Sequence, residues 1–508
     1  MKLFVKKSLA QLMATPEEGA STLKRTLGSG NLIALGIGAI IGAGLFVRTA
    51  SAAGEHAGPA VTISFIVAAI GCAFAGLCYA EFASIIPIAG SAYTYAYATM
   101  GEIVAWIIGW ALVLEYALGA ATVSISWSEY LNNLVGGKIP YEWCHSPMES
   151  VLVNGASHHG IVNLPALFIL LVLSAVLIKG TQESATLNAV IVFIKVAIVL
   201  VFIAIGWQFI NPANHTPYLI PDNAPDVMQP NGTMYSYLPW KNHGWGGVLR
   251  GAGVVFFAFI GFDAVSTAAQ EAKNPKRDMP IGILGSLVVC TILYVLFSWV
   301  LTGVAPYTDF MGGGKEASVA YAISHYMAGY SWLSTLVTIA ILAGFSSVIL
   351  VMLLGQSRVF YTMSTDGLLP KVFSDLHPKF STPYKSNMIL FVFVGAFAAF
   401  LPGSVAGDLT SIGTLFAFVV VCIGVIILRK KEPNLVRPFK TPLVPLVPIL
   451  GILVCAAMIS SLDITTQLAA LGWMVIGLVI YFSYSRKNSK LSMVGEILPS
   501  ATDFEKKD

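Results

Sequence analysis

Charge is scarce in this sequence. Of its 508 residues only 11% are Asp, Glu, Lys or Arg, against 56% that are hydrophobic. A water-soluble domain carries about 25% charged residues, so the deficit excludes an ordinary soluble enzyme or binding module and points to an integral membrane protein. Cysteine is sparse too, with six in all. Cys72, Cys78, Cys290, Cys422 and Cys455 fall in apolar runs and read as small apolar residues, while Cys144 alone lies in a hydrophilic stretch, so no external disulfide pair is expected. The net charge of +3 is too small to argue for a nucleic-acid partner. No GxxxxGK[ST] stretch occurs, so a nucleotide-driven machine is not indicated. His145, His158 and His159 lack any metal-ligand spacing. Asn231-Gly-Thr matches a glycosylation sequon, a pattern short enough to arise by chance.

What is abundant is long apolar runs, each able to cross about 30 Å of hydrocarbon. Twelve spans are predicted, near 31–53, 60–86, 97–130, 162–179, 186–210, 247–271, 281–304, 331–357, 387–402, 407–429, 445–462 and 467–485. With these spans, 23 of the 29 basic residues fall on one side: Lys2, Lys6, Lys7, Lys24 and Arg25 ahead of the first run, a series from Lys179 to Lys440, and Arg486, Lys487, Lys490, Lys506 and Lys507 at the end. The other side receives Arg48, Lys138, Lys241, Arg250 and Lys315. The positive-inside rule then puts both termini in the cytoplasm. About 30 mostly polar residues precede the first run, which does not read as a cleavable signal peptide.

Two spans are interrupted. The first contains "GIGAIIGAG", Gly36 to Gly44, with four glycines in nine residues. Each glycine costs roughly 1 kcal/mol against alanine inside a helix. The sixth reads "RGAGVVFFAFIGFDAVSTAAQE", with Gly251, Gly253, Gly261 and the acidic Asp263 well inside. Glycine alone would serve close helix packing. Two glycine-interrupted segments five spans apart argue for more, because paired broken helices in corresponding positions mark the midplane site of an inverted-repeat transporter. Unwound backbone at membrane depth is tolerated only where protein or a water-filled cavity satisfies it.

Four stretches carry a resemblance: "PIAGSAYTYAYATMGEIVAWIIGWALVLEY" (87–116), "FFAFIGFDAVSTAAQEAKNPKRDMPIGI" (256–283), "GQSRVFYTMSTDGLLPKVFSDLHPKFSTP" (355–383) and "RPFKTPLVPLVPIL" (437–450). They resemble the amino acid–polyamine–organocation superfamily, and within it the bacterial branch of the cationic amino acid transporter family. Residues 131–161 and 211–246 show no match. The resemblance implies an all-α membrane protein with twelve transmembrane helices. A cytoplasmic segment (1–30) precedes a first five-helix repeat (31–210) and an inverted second repeat (247–429), with helices 1 and 6 discontinuous. Two further helices (445–485) and a cytoplasmic tail (486–508) follow. It also implies a secondary transporter of amino acids in a bacterial plasma membrane, not an enzyme, with no cofactor and the proton gradient as driving force. No partner subunit is demanded, and a small membrane partner stays open.

An amino acid has a carboxylate and an ammonium. Free N–H groups at the start of a half-helix suit the first and orphan carbonyls at the end of another suit the second. In the family pattern the amides of Gly42, Ala43 and Gly44 hold the carboxylate, and the carbonyls of Ile40, Phe257, Ala258 and Ile260 hold the amine. Ala43 stands where threonine or serine is often seen, which removes a hydroxyl contact.

Lys195 lies about ten residues from either end of span five, too deep to snorkel easily, and an ionisable residue at such depth is a functional hypothesis by default. By resemblance its ammonium takes the place of a sodium ion, facing the carbonyls of Gly38 and Ile41 and the hydroxyl of Ser346 or Ser347. Glu115 in span three reads either as a cavity-facing proton relay or substrate anchor, or as a structural acid tying helices together. Asp263 follows the second break and would cap the next helix or touch substrate. Met352 and Phe259 would line a side-chain pocket.

Three functions follow: a proton-coupled symporter, an exchanger on the same scaffold, or a sensor or subunit of transporter form. The titratable Lys195 favours the first. Met352 and the leucines of span eight fill space that a guanidinium would need, so small neutral amino acids such as alanine are expected, with cationic ones such as arginine and lysine as the alternative.

Overall fold

The computed structural model describes residues 27–86, 91–179, 185–269, 272–311, 317–380 and 382–490. The sequence readings at Lys2, Lys6, Lys7, Lys24, Arg25, Lys315, Lys506 and Lys507 lie outside the described residues. The first apolar run forms α1 (Ser29–Ile40), stops, and resumes as a π-helical stretch (Gly44–Arg48), α2 (Thr49–Ala52) and a second π-helical stretch (Ala53–Ala57). Gly58, at φ +59°, turns the chain into α3 (Val61–Ile85). Then come α4 (Ser91–Thr99), α5 (Glu102–Leu134), α6 (Leu164–Lys179) and α7 (Ala185–Gly206).

The second interrupted run gives α8 (Gly244–Val255), a 3₁₀ turn (Phe256–Phe259) and a short α9 (Ala264–Thr267). The remaining helices are α10 (Pro275–Val304), α11 (Ser318–Tyr326), α12 (Ser331–Thr365), α13 (Tyr384–Phe400), α14 (Gly403–Lys431), α15 (Leu446–Ser461) and α16 (Ile464–Ile480).

Among the described residues seven helical stretches are long and apolar enough to cross a membrane, and five shorter apolar helices accompany them. α1 and the stretch from Gly244 to Phe259 are two of the five. They are short because the chain breaks there. The expected span at 97–130 needs a correction: Gly101, at φ +101°, separates α4 from α5, so residues 97–99 belong to the preceding helix. The two regions without a recognised match each hold a small hairpin, β1 (Ser150–Val153) with β2 (Ala156–His159), and β3 (Val227–Met228) with β4 (Met234–Tyr235). No disulfide joins any of the six cysteines.

The two broken runs are antiparallel. Leu27, just before α1, bridges Ala272, just after the second run, and the Lys273 amide donates to the Leu27 carbonyl at 2.8 Å. At the opposite end, hydroxyls from the segment before α8 reach the end of the first run. Tyr237 donates to the Gly54 carbonyl at 2.6 Å and Tyr235 to that of Glu55 at 2.7 Å. α3 packs along α10 and α5 along α12, each pair five spans apart. Between apolar helices in lipid, close packing of small residues replaces the hydrophobic effect as the attractive term. Gly36 illustrates it: a Cβ there would sit 2.5 Å from the Ser286 hydroxyl of α10.

Candidate functional site

The site is built where the two breaks meet. α1 ends because Ile41 turns extended (φ −73°, ψ 105°). The 3₁₀ turn ends the same way at Ile260 (φ −61°, ψ 135°), and Gly261 follows at φ +112°, a conformation glycine adopts without strain. Both interruptions expected from the glycine pattern are therefore present. They are in backbone contact, since a Cβ on Gly44 would lie 2.2 Å from the Cα of Ala258.

The N–H groups of Gly42, Ala43 and Gly44 donate to no backbone carbonyl among the described residues. They are the orphan donors that every helix N-terminus exposes, and they favour negative charge. Opposite them, the carbonyls of Ile40 and Ala258 are drawn together by one side chain. The Tyr294 hydroxyl of α10 lies 3.0 Å from the first and 2.8 Å from the second. The Phe257 carbonyl accepts from the Ile260 amide at 3.3 Å. Phe259, in the same turn, packs its ring between Phe65 and Tyr294, with centroids 6.2 and 5.2 Å away, so it props the break rather than lining an open pocket. Met352 is buried against α5, where a Cβ on Gly119 would be 3.6 Å from its sulfur.

Lys195 is 2% exposed, and its ammonium donates to the Gly38 carbonyl at 2.8 Å. Its stem runs against α12 at Gly344, where a Cβ would be 3.0 Å from Cε. The expected serine contact takes a different form. Ser346 donates to the Leu342 carbonyl of its own helix at 2.9 Å, and the buried Ser347 hydroxyl finds no hydrogen-bond partner. Ile41 is fully buried at the break itself.

Glu115 is fully buried, with the Thr414 hydroxyl of α14 beside its carboxyl. Asp263 stands at the N-cap position of α9 but makes no side-chain cap bond, which corrects the capping expectation. Its carboxylate instead accepts from the Tyr116 hydroxyl at 3.3 Å. An acid drawn to a tyrosine on a neighbouring helix is no longer available to its own helix start.

Sequence reasoning missed Tyr294 and a buried ion network. Arg48 and Arg250, read as flanking cations, are each 3% exposed and both pair with Asp408 of α14. Arg250 also reaches Asp463 at 2.6 Å. The network ties the π-helical stretch that holds Arg48, and α8, to α14 and to the residue capping the start of α16. The sequence signal was there: opposite charges just inside the ends of apolar runs seek one another, because a lone buried charge is costly. Asp408→Asn strands the Arg48 guanidinium and leaves Arg250 with Asp463 alone, and a loss of about 2 kcal/mol in stability is expected. A thermal melt of the purified chain in detergent that is unchanged by the substitution would show the network to be energetically idle.

The sequence profile of a family described as amino acid permease matches residues 27–484. Similar chains include the branched-chain amino acid permease BcaP of Bacillus subtilis (strain 168), 44% identical over 96% of this chain and 99% of that one. The methylthioribose transporter of the same organism is 39% identical over the same shares, 96% and 99%. The vacuolar cationic amino acid transporter 4 of Arabidopsis thaliana is 34% identical over 82% of this chain and 65% of its own length. With the paired breaks and this coverage, the chain belongs to the amino acid permease family of the amino acid–polyamine–organocation superfamily: it is a multi-pass membrane transporter, not an enzyme.

Proposed function

We propose that this protein is a proton-coupled symporter of neutral L-amino acids, alanine among them, in a bacterial plasma membrane. The observation that carries the reading is the meeting of the two breaks. Unpaired amides at Gly42 to Gly44 suit a carboxylate, the Ile40 and Ala258 carbonyls that flank the Tyr294 hydroxyl suit an ammonium, and Lys195 holds the carbonyl of Gly38. In this reading the Lys195 ammonium takes up and releases the coupled proton, and the proton gradient supplies the driving force. Twelve spans in a five-plus-five inverted repeat, with both termini in the cytoplasm, complete the proposal. The antiparallel course of the broken runs and the α3–α10 and α5–α12 pairings support it. The name of the Bacillus subtilis branched-chain relative favours a neutral substrate.

One observation favours a second reading, exchange of cationic amino acids. The buried carboxyl of Glu115 is what a guanidinium or ammonium side chain would seek. The Arabidopsis relative is named for cationic substrates.

The test is uptake of labelled L-alanine into sodium-free proteoliposomes holding only this chain, with and without an acid-outside gradient, competed by unlabelled alanine, leucine or arginine. Accumulation that needs the gradient and yields to alanine or leucine is the expected result. Uptake driven only by preloaded arginine would replace symport with exchange. No uptake by the purified chain would mean that a partner subunit is required.

A further inference from the structure

A groove of about 720 Å³ runs along the outside of the molecule, between α1, the first half of α10 and the segment joining α14 to α15. Its walls are apolar: Ile33 from α1, Ile281, Leu284 and Val288 from α10, and Phe439 from the joining segment. Val288 is 59% exposed, on a helix apolar enough to cross a membrane, so this wall faces lipid rather than protein. One end is different. Lys276 and Arg277, in the first turn of α10, line it, both are exposed, and among the described residues neither side chain forms an ion pair.

Length and charge together specify an occupant. From Lys276 to Val289 the helix rises about 20 Å at 1.5 Å per residue, close to the roughly 15 Å of hydrocarbon in one leaflet plus the headgroup layer. An acyl chain fits such a channel lengthwise, and two cations at its head fit a phosphate. Residues 1–26, the nearest other segment in sequence, carry five basic residues and two acidic ones, so their charge opposes that end of the groove. We propose that this groove is a binding site for an anionic phospholipid. The phosphate lies against Lys276 and Arg277 and one acyl chain along Ile33, Leu284 and Val288. Its floor is the contact between α1 and α10, where a Cβ on Gly285 would be 3.0 Å from Ile33, so the seated chain bears directly on the half-helix that ends at the first break.

Native mass spectrometry of the full chain, purified in detergent and offered equal amounts of phosphatidylglycerol and phosphatidylcholine, tests this without reference to transport. The wild type is expected to retain phosphatidylglycerol preferentially. The double substitution Lys276→Gln, Arg277→Gln lowers that retention roughly 10- to 30-fold, the weight of two basic residues at a membrane surface. Val288→Trp keeps both cations, fills the groove and lowers retention as well. Equal retention of the two lipids by the wild type would overturn the proposal, as would a double variant that keeps the preference. A Val288→Trp chain binding like the wild type would reduce the site to a charged surface patch and sink the groove. All three substitutions fall at exposed positions, and an unchanged thermal melt accompanies the expected results.

Discussion

Lys195→Met is expected to abolish gradient-driven accumulation of amino acid while leaving the fold intact. Lys195 joins three helices: it grows from α7, its stem lies on the bare backbone of α12 at Gly344, and its ammonium caps the carbonyl of Gly38 near the end of α1. Methionine reproduces the length and the apolar stem but offers no donor and no charge. The Gly38 carbonyl then stays buried without the ammonium, a penalty of about 1–3 kcal/mol, which is roughly 5- to 150-fold in any step that needs α1 in this position. The gradient dependence should vanish altogether, because the group proposed to carry the proton is gone. The measurement is the ratio of uptake with and without the acid-outside gradient, set beside exchange between equal pools of alanine. A variant that exchanges but no longer accumulates is the expected outcome. A variant that still accumulates under the gradient would move proton coupling to Glu115, a buried carboxyl beside the breaks.

Gly44→Ala is expected to reduce all transport, exchange included, to background. The added methyl would meet Ala258 Cα at 2.2 Å and Ala258 N at 2.6 Å. Those atoms are backbone, so no side-chain rotation relieves the clash, and the two breaks must move apart. Overpacking of this kind costs typically about 1–3 kcal/mol in stability. The functional loss is larger, on the order of 100-fold or more, because a displacement of about 1 Å at a binding site built from backbone groups destroys their convergence. Two controls make the result specific. Gly424→Ala in α14 meets only side-chain ends, the Phe82 ring at 3.2 Å and the Met100 methyl at 3.5 Å, which can shift, and should cost far less. Gly30→Ala has nothing within 4 Å and should be neutral or slightly stabilising by removing a glycine from a helix. Alanine uptake by the three purified variants gives the ranking, and Gly44→Ala behaving like Gly30→Ala would show that the contact of the breaks is not the site.

Much of this was legible because the signals were local. A glycine run inside an apolar segment is readable from the sequence alone, and both breaks fall where that pattern placed them. Lys195 stood out because an ionisable residue in mid-span has few bland explanations. Tyr294 did not stand out, although a hydroxyl in "VVCTILYVLF" must find a partner somewhere. Its partners are carbonyls far away in the chain, and no spacing rule connects them. Asp263 shows the opposite failure. The local rule for a helix start suggested a cap, and a tyrosine on α5 took the carboxylate instead.

The sequence by itself determined that the chain is a helical membrane protein, where its helices break, and which ionisable residues lie too deep to be incidental. Those facts follow from composition and from the cost of glycine and charge in hydrocarbon, which depend on each residue and its near neighbours. Only the tertiary structure decided which faces of the helices meet: that Gly44 touches Ala258, that Lys195 reaches Gly38, and that Asp408 gathers two arginines. The physical reason lies in the helices themselves. They are apolar on nearly every side, so no polar stripe records their rotation, and the close fit of small residues between helices sets it instead.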